Sequence, residues 1–351
     1  MSWLSELARP EIRELKAYQH ASWEPGLVRL HANELPWRAP LDQSAAGLNR
    51  YPEPHPHELA ARLAALYGVD SDWVLAGRGS DEAIDLLTRA YCRAGQDAVL
   101  ITPPTFGMYG VAARIQGASV LEVPLRRDRD FALEVPAVLA AATPQVKLVY
   151  LCTPNNPTGN LLDRTGVLKL ATELAGRALL VVDEAYVEFA GTPSLASELR
   201  AHPALVVLRT LSKAYGLAGA RCGALLAQPE VVALLRKVIQ PYAVTQLSIE
   251  AVFRTLEAPH LSLAAQRVAD LIAERTRLAS ALAALRGTLR VWPSAANFLL
   301  VDFAEPAVAL QRARAAGLLL RDVRAHPALS CSLRISVGSR AQNDQLLASL
   351  S

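Results

Sequence analysis

Leu208-Arg-Thr-Leu-Ser-Lys-Ala-Tyr-Gly-Leu-Ala-Gly-Ala-Arg-Cys-Gly223 is the stretch on which the rest of the chain turns. An apolar run, Ala204-Leu-Val-Val-Leu208, leads into it and reads as a buried strand. Beyond the strand lies a single lysine, Lys213, with Ser212 before it and Arg221 eight positions on. In α/β folds, ligands gather at the C-terminal ends of such strands. A buried lysine there has a lowered pKa and can form a Schiff base with a carbonyl. Ser212 and Arg221 could hold a phosphate, the arginine through a charge-assisted fork. A Schiff-base lysine beside a phosphate clamp points to pyridoxal phosphate, although the spacing alone also fits a surface loop with ordinary basic residues.

Composition narrows the class. At 351 residues the chain is long enough for a large core and two domains. Its 52% apolar and 20% charged residues describe a globular protein, not a disordered one. A net charge of +3 without a basic cluster argues against nucleic acid as a partner and leaves phosphorylated small molecules open. The cysteines Cys92, Cys152, Cys222 and Cys331 form no Cys-x-x-Cys pair, which argues against a metal site and fits a reducing compartment. Met1-Ser-Trp-Leu-Ser-Glu-Leu7 lacks the regions of a signal peptide, and no apolar run reaches membrane-spanning length. The expectation is a cytoplasmic enzyme.

From Ala98 to Leu208 short apolar strands alternate with helices. Strands are expected over 98–101, 119–123, 147–151, 178–182 and 204–208, with helices near 106–117, 135–142, 164–175 and 194–201. That order predicts an α/β fold: a mainly parallel sheet with helices on both faces. Upstream, a proline-rich arm over residues 1–45 carries a helix-compatible start and a short strand at 27–32. A helix runs from His57 to Gly68, and the turn Gly77-Arg-Gly-Ser-Asp-Glu82 opens another, a potential anion site at a helix N-terminus. Downstream, helices over 245–256 and 260–285 precede strands near 289–292, 297–302, 318–321 and 332–337, with helices near 306–316 and 341–350. The division expected is an arm (1–45), a large domain (46–260) and a small α+β domain (261–351).

Three motifs fall where the parallel strands should end: Thr153-Pro-Asn-Asn-Pro-Thr-Gly159, Asp183-Glu-Ala-Tyr186 and Ser212-Lys213. Asp183 closes the run Leu-Leu-Val-Val, where a carboxylate needs a partner. It could pair with a pyridinium nitrogen, or cap the next helix. Tyr186 and Asn156 could bond the cofactor's ring oxygen, or be packing and turn chemistry. Phe106 could stack on the ring, or belong to the core.

Taken together, Ser212-Lys-x5-Gly-x-Arg-x-Gly223, Pro-Asn-Asn-Pro-Thr-Gly and Val-Val-Asp-Glu-Ala-Tyr resemble the fold-type I pyridoxal phosphate aminotransferases over nearly the whole chain. Arg50-Tyr-Pro-Glu-Pro, Gly79-Ser-Asp-Glu, Gly107-Met-Tyr and Leu333-Arg-Ile-Ser-Val-Gly338 point to the histidinol-phosphate branch. The resemblance implies Lys213 as the Schiff-base lysine and Asp183 on the pyridinium nitrogen. It implies Asn156 and Tyr186 on the ring oxygen, and Phe106 stacked on the ring. Ser80, Asp81, Ser212 and Arg221 would bind the cofactor phosphate, chiefly through the backbone at the first two. Tyr51 would reach the same phosphate in a neighbouring subunit of a homodimer. Arg334, helped by Arg321, would hold the carboxylate of glutamate or the phosphate of histidinol phosphate, and Tyr18 would line the substrate pocket. Surface ion pairing is the alternative for both arginines. The branch usually has tyrosine where Phe106 stands, and His31 and Leu35 also depart from its arm motif.

The resemblance therefore implies transamination between L-histidinol phosphate and 2-oxoglutarate in histidine biosynthesis. An aromatic amino acid aminotransferase or a threonine-phosphate decarboxylase would keep the same cofactor residues. A non-catalytic sensor would carry a helix-turn-helix that the short arm leaves no room for. A dinucleotide-binding fold fails for want of a strand leading into G-x-G-x-x-G.

Overall fold

The fold was taken from a computed structural model, which describes residues 2–24 and 26–351. Seven strands form the larger sheet: β1 (Val74–Gly77), β2 (Ala98–Ile101), β3 (Ser119–Glu122), β4 (Val146–Cys152), β5 (Leu179–Asp183), β6 (Leu205–Thr210) and β7 (Gly223–Leu226). Their order is β1-β7-β6-β5-β4-β2-β3. Pairing is parallel throughout except along β7, which runs antiparallel to both β1 and β6.

Period-two alternation divides the core between two faces. On one face Val149, Leu151, Leu180, Val182, Leu205 and Val207 pack against the helices His57–Tyr67 and Arg164–Glu173. On the other, Leu148, Tyr150, Leu179, Val181, Val206 and Leu208 meet the helices Ser80–Tyr91, Met108–Gln116 and Pro229–Arg236. Apolar on both faces, β4 to β6 are buried, which is why they read as continuous hydrophobic runs. Each fully buried Leu or Val contributes roughly 1.5–3 kcal/mol to holding these layers together.

A 26-residue helix, Ala258–Ala283, leads to an antiparallel sheet in the order β10-β11-β9-β8. Its strands are β8 (Thr288–Val291), β9 (Phe298–Phe303), β10 (Arg321–Asp322) and β11 (Ser332–Ser336), and it packs on the helices Pro306–Ala315 and Arg340–Leu350. The fold is thus a large mainly parallel α/β/α layer with a small α+β C-terminal domain.

Several local expectations fail. No strand forms at 27–32, where Val28 and Leu30 are exposed and find no sheet to join. The helix expected at 194–201 is a 3₁₀ turn, Leu195–Glu198. The strand expected at 318–321 is the two-residue β10. Strands β1 and β7 and the helix Pro229–Arg236 escape the sequence reading. The arm begins with two five-residue helices, Trp3–Leu7 and Pro10–Glu14, in place of one longer one. They seat on the large layer, with Leu4 and Ala8 buried in its core and Arg9 N–H donating to the Ala90 carbonyl at 3.0 Å.

Candidate active site

The antiparallel β7 creates the site's central loop. Thr210 at the end of β6 pairs with Gly223 at the start of β7, so residues 211–222 leave the sheet's C-terminal edge and return beside their point of departure. Leu211 N–H donates to the Cys222 carbonyl at 3.1 Å and closes the base. The same edge presents Cys152 opposite Asp183 in neighbouring parallel strands. Above it lies a cavity of about 580 Å³. Its wall brings together Ser80, Asp81, Phe106, Asn156, Asp183, Tyr186, Ser212, Lys213, Arg221, Arg321 and Arg334. Tyr18 and Tyr51 are elsewhere. Tyr51 stacks on Tyr242 with ring centroids 4.6 Å apart and is half-exposed, and Tyr18 is exposed.

Asp183 is the cavity's buried charge, 3% exposed. Its Oδ2 accepts from Tyr109 Oη at 2.9 Å and its Oδ1 from Ala185 N–H at 3.1 Å. Among the described residues no cationic side chain lies within ion-pair distance, and burial raises its pKa to about 6. Lys213 is not buried as expected: its side chain opens into the cavity, because the loop lifts it off the sheet. Nζ stands 5.8 Å from the centre of the Tyr186 ring. Its pKa is lowered, mainly by desolvation and next by Arg334. Tyr186 accepts from Asn156 Nδ2 at 3.4 Å, and its buried ring meets Phe298 edge-on at 5.2 Å.

A cup forms at the N-terminus of the helix Ser80–Tyr91. Gly79 precedes it with φ +91°, a conformation that favours glycine. Glu82 reaches back to Arg78 N–H at 2.7 Å and fixes the turn. A Cβ on Gly79 would lie 3.4 Å from Arg221 Nη2, so turn and arginine are in contact. Arg221 bonds Ser212 Oγ at 3.4 Å and Asp81 Oδ2 at 3.1 Å. The Asp81 carboxylate thus aims Arg221, leaving first-turn N–H groups for an anion.

Opposite the cup, Arg321 and Arg334 face each other across β10 and β11. Like charges in direct register are unfavourable unless an anion lies between them. Arg334 Nη1 donates to Asn156 Oδ1, while its Nε is buried without a partner. Burial lowers its pKa. One cavity therefore carries two anion-seeking groups together with a lysine and a buried carboxylate. The sequence reading missed Thr210, whose Oγ1 receives Ser212 N–H at 3.2 Å, and the buried Tyr109. Tyr109, in the first turn of the helix Met108–Gln116, packs edge-on against Phe106 with ring centroids 5.6 Å apart.

Cofactor fit can be judged from this donor set. A buried carboxylate lacking a cation suits a protonated ring nitrogen, the glycine cup suits a phosphate, and Phe106, on the wall, offers an aromatic face. Pyridoxal phosphate has these three features. Comparison with known proteins agrees: the family described as "Aminotransferase class I and II" matches residues 29–350. The chain belongs to that family and is accordingly a pyridoxal phosphate-dependent enzyme. Among individual proteins it is 49% identical to a histidinol-phosphate aminotransferase of Stenotrophomonas maltophilia (strain R551-3), over 98% of this chain and 96% of that one. Its fold is similar to a histidinol-phosphate aminotransferase from Sinorhizobium meliloti solved in complex with pyridoxal-5'-phosphate. There the TM-score is 0.74 at 26% identity, covering 86% of this chain and 82% of that one. An L-threonine-O-3-phosphate decarboxylase from Porphyromonas gingivalis also gives TM-score 0.74 at 26% identity, covering 86% and 90%. Fold alone does not choose between these chemistries.

Proposed function

We propose that the protein transaminates between L-histidinol phosphate with 2-oxoglutarate and imidazole-acetol phosphate with L-glutamate, in histidine biosynthesis. The full-length relative at 49% identity supports the choice of substrate. The observation that carries it is the Arg321–Arg334 pair, which lines the same cavity as Lys213 and has a buried, unpartnered Nε on Arg334. Such a pair can receive a carboxylate in one half-reaction and a phosphate in the other.

When bound, pyridoxal phosphate supplies an electron sink next to the substrate's Cα. The protein does the rest by position. Asp183 would hold the ring nitrogen in its protonated form, Asn156 and Tyr186 would hold the ring oxygen, and Phe106 would pack on the ring. The backbone at Ser80 and Asp81, with Ser212 and Arg221, holds the cofactor phosphate. Lys213 Nζ takes the Cα proton and redelivers it, a task its lowered pKa favours. Arg334 and Arg321 hold the substrate's anionic group.

Tyr51 and the arm act on a second copy of the chain, as a homodimer. Exposed apolar side chains concentrate there: Tyr18, Leu27, Val28, Leu30, Leu35, Trp37 and Leu41 are all at least 64% exposed. Tyr51 completes the neighbouring cofactor cup, and Tyr18 lines a substrate pocket. The reaction is placed in the cytoplasm, where the free cysteines stay reduced. No helix among the described residues is long and apolar enough to cross a membrane.

The test is 2-oxoglutarate-dependent consumption of L-histidinol phosphate by the purified holoenzyme, beside L-phenylalanine, L-tyrosine and O-phospho-L-threonine. Preference for histidinol phosphate is expected. Preference for an aromatic amino acid, or CO2 release from phosphothreonine without an acceptor, overturns the substrate.

A further inference from the structure

The seam between the two sheets contains a charged contact that the chemistry above does not use. Residues 126–132 form a tight hairpin on the large layer, closed by a bridge between Arg126 and Ala132. At its tip Asp130 and Phe131 both adopt left-handed backbone, with φ +53° and +60°. For a bulky phenylalanine this is unfavourable, and surrounding contacts must hold it. They are present: Phe131 is 1% exposed, its ring centroid lies 4.6 Å from that of Trp292, and its carbonyl accepts from Asn160 Nδ2 at 3.0 Å.

The turn delivers Arg127 to the small domain. Nη2 meets Asp302 Oδ2 at 2.7 Å, Nη1 donates to the Ala328 carbonyl, and the guanidinium lies 5.0 Å from the Trp292 ring centre. Asp302, on β9 and 3% exposed, also accepts from Trp292 Nε1 at 2.9 Å and from Ser332 Oγ. Ser332 faces Asp302 across β9 and β11, and lies two residues before Arg334 on the same strand. Ala328 lies in the connection between β10, which carries Arg321, and β11, which carries Arg334. One guanidinium from the large layer thus holds the connection between the two arginine-bearing strands directly, and β11 through Asp302 and Ser332.

We propose that Arg127 and Asp302 are positioning residues. They set the height and angle at which Arg321 and Arg334 stand over Lys213 and Asp183, and so tune recognition of the substrate's anionic group without touching it. This rests on the assignment of Arg334 and Arg321 to that group. Among the described residues Arg334 itself has one side-chain hydrogen bond across the seam, to Asn156, which does not reach Arg321, and the ion pair Asp130–Arg290 ties the same hairpin to β8, away from both arginines. Asp302 is buried while Arg127 is partly exposed, so removing Arg127 leaves a buried carboxylate without its cation, and losing either member should release the segment.

The experiment uses the holoenzyme with Arg127→Met, Arg127→Lys and the nearly isosteric Asp302→Asn. Hydrogen exchange of backbone amides over 321–336 is measured without substrate, and KM and kcat with both anionic substrates. In Arg127→Met and Asp302→Asn, exchange should rise and KM increase by about 10-fold or more for both substrates. Saturated kcat, cofactor affinity and the cofactor's absorbance titration should be unchanged, and Arg127→Lys should recover part of the KM. Arg334→Gln is the control. If it leaves KM for the anions unmoved, the assignment of Arg334 fails and exchange alone decides whether the grip exists. Unchanged exchange overturns the proposal. So does unchanged KM where Arg334→Gln is impaired, or cofactor affinity falling in step with KM. Should Arg127→Met fail to fold, Asp302→Asn gives the same readouts.

Discussion

Asp183 has two hydrogen-bond donors and no cation, and the consequence is a stability that depends on pH. Its folded pKa of about 6 lies above that of an unfolded aspartate, so its favourable contribution is complete below pH 4 and is lost as pH rises to 6. In the cofactor-free protein Asp183→Asn should therefore be more stable than wild type at pH 7.5, by as much as about 2–3 kcal/mol, and the gap should close below pH 4. Urea unfolding at the two pH values checks this, and the same variant should retain cofactor poorly. Tyr109→Phe removes a donor from the carboxylate, a bond to a charged group worth about 1.5–3 kcal/mol, and should push the Asp183 pKa up by about one to two units. Carbon-13 titration of the apo-protein reads that shift. Lys213→Ala should lose transamination by at least about 10⁴-fold in a coupled assay while cofactor still binds. Normal turnover would remove Lys213 from the proton transfer. These side chains were legible in the sequence because each follows a strand directly. Tyr109 was quoted there but given no role, since its partner is 74 residues away.

At the scale of elements the deciding feature is β7. A Cβ on Gly223 would lie 2.6 Å from the Arg209 carbonyl and 2.8 Å from Gly79 Cα, so the strand presses directly on the turn that opens the phosphate cup. Gly223→Ala should cost about 1–3 kcal/mol by overpacking and weaken cofactor retention by displacing that turn, measurable by thermal unfolding and by dialysis against buffer. β7 is four residues, Gly-Ala-Leu-Leu, and so short an apolar run does not distinguish strand from helix. Its neighbours β1 and β6 identify it: β6 precedes it directly, but β1, which holds its other edge, is remote in the chain. The reverse error occurred at 27–32, where Leu-Val-Arg-Leu-His-Ala has strand-forming residues but no edge to pair with.

For the molecule as a whole, the apolar arm is the feature one chain does not satisfy. Replacing Leu30 and Trp37, 91% and 75% exposed, by glutamate should shift sedimentation toward a monomer. Activity should fall with it, since the contribution proposed for Tyr51 at a neighbouring site would be lost. An unchanged dimer would place the interface elsewhere. By itself the sequence determined the class of chemistry through resemblance: Ser212-Lys213 with Arg221, Asn156 in its proline turn, and Asp183 with Tyr186 are local motifs that together match one family. It also indicated the large α/β layer, because several short apolar runs bounded by turns and alternating with helical segments fit interior strands of a parallel sheet. Only the tertiary structure decided what lies across the cavity. Arg334 meets Asn156 over 178 residues, and Arg127 meets Asp302 over 175. Neither contact has a local signature, since each depends on how two separately folded layers pack, and packing is set by the summed shape of many buried side chains.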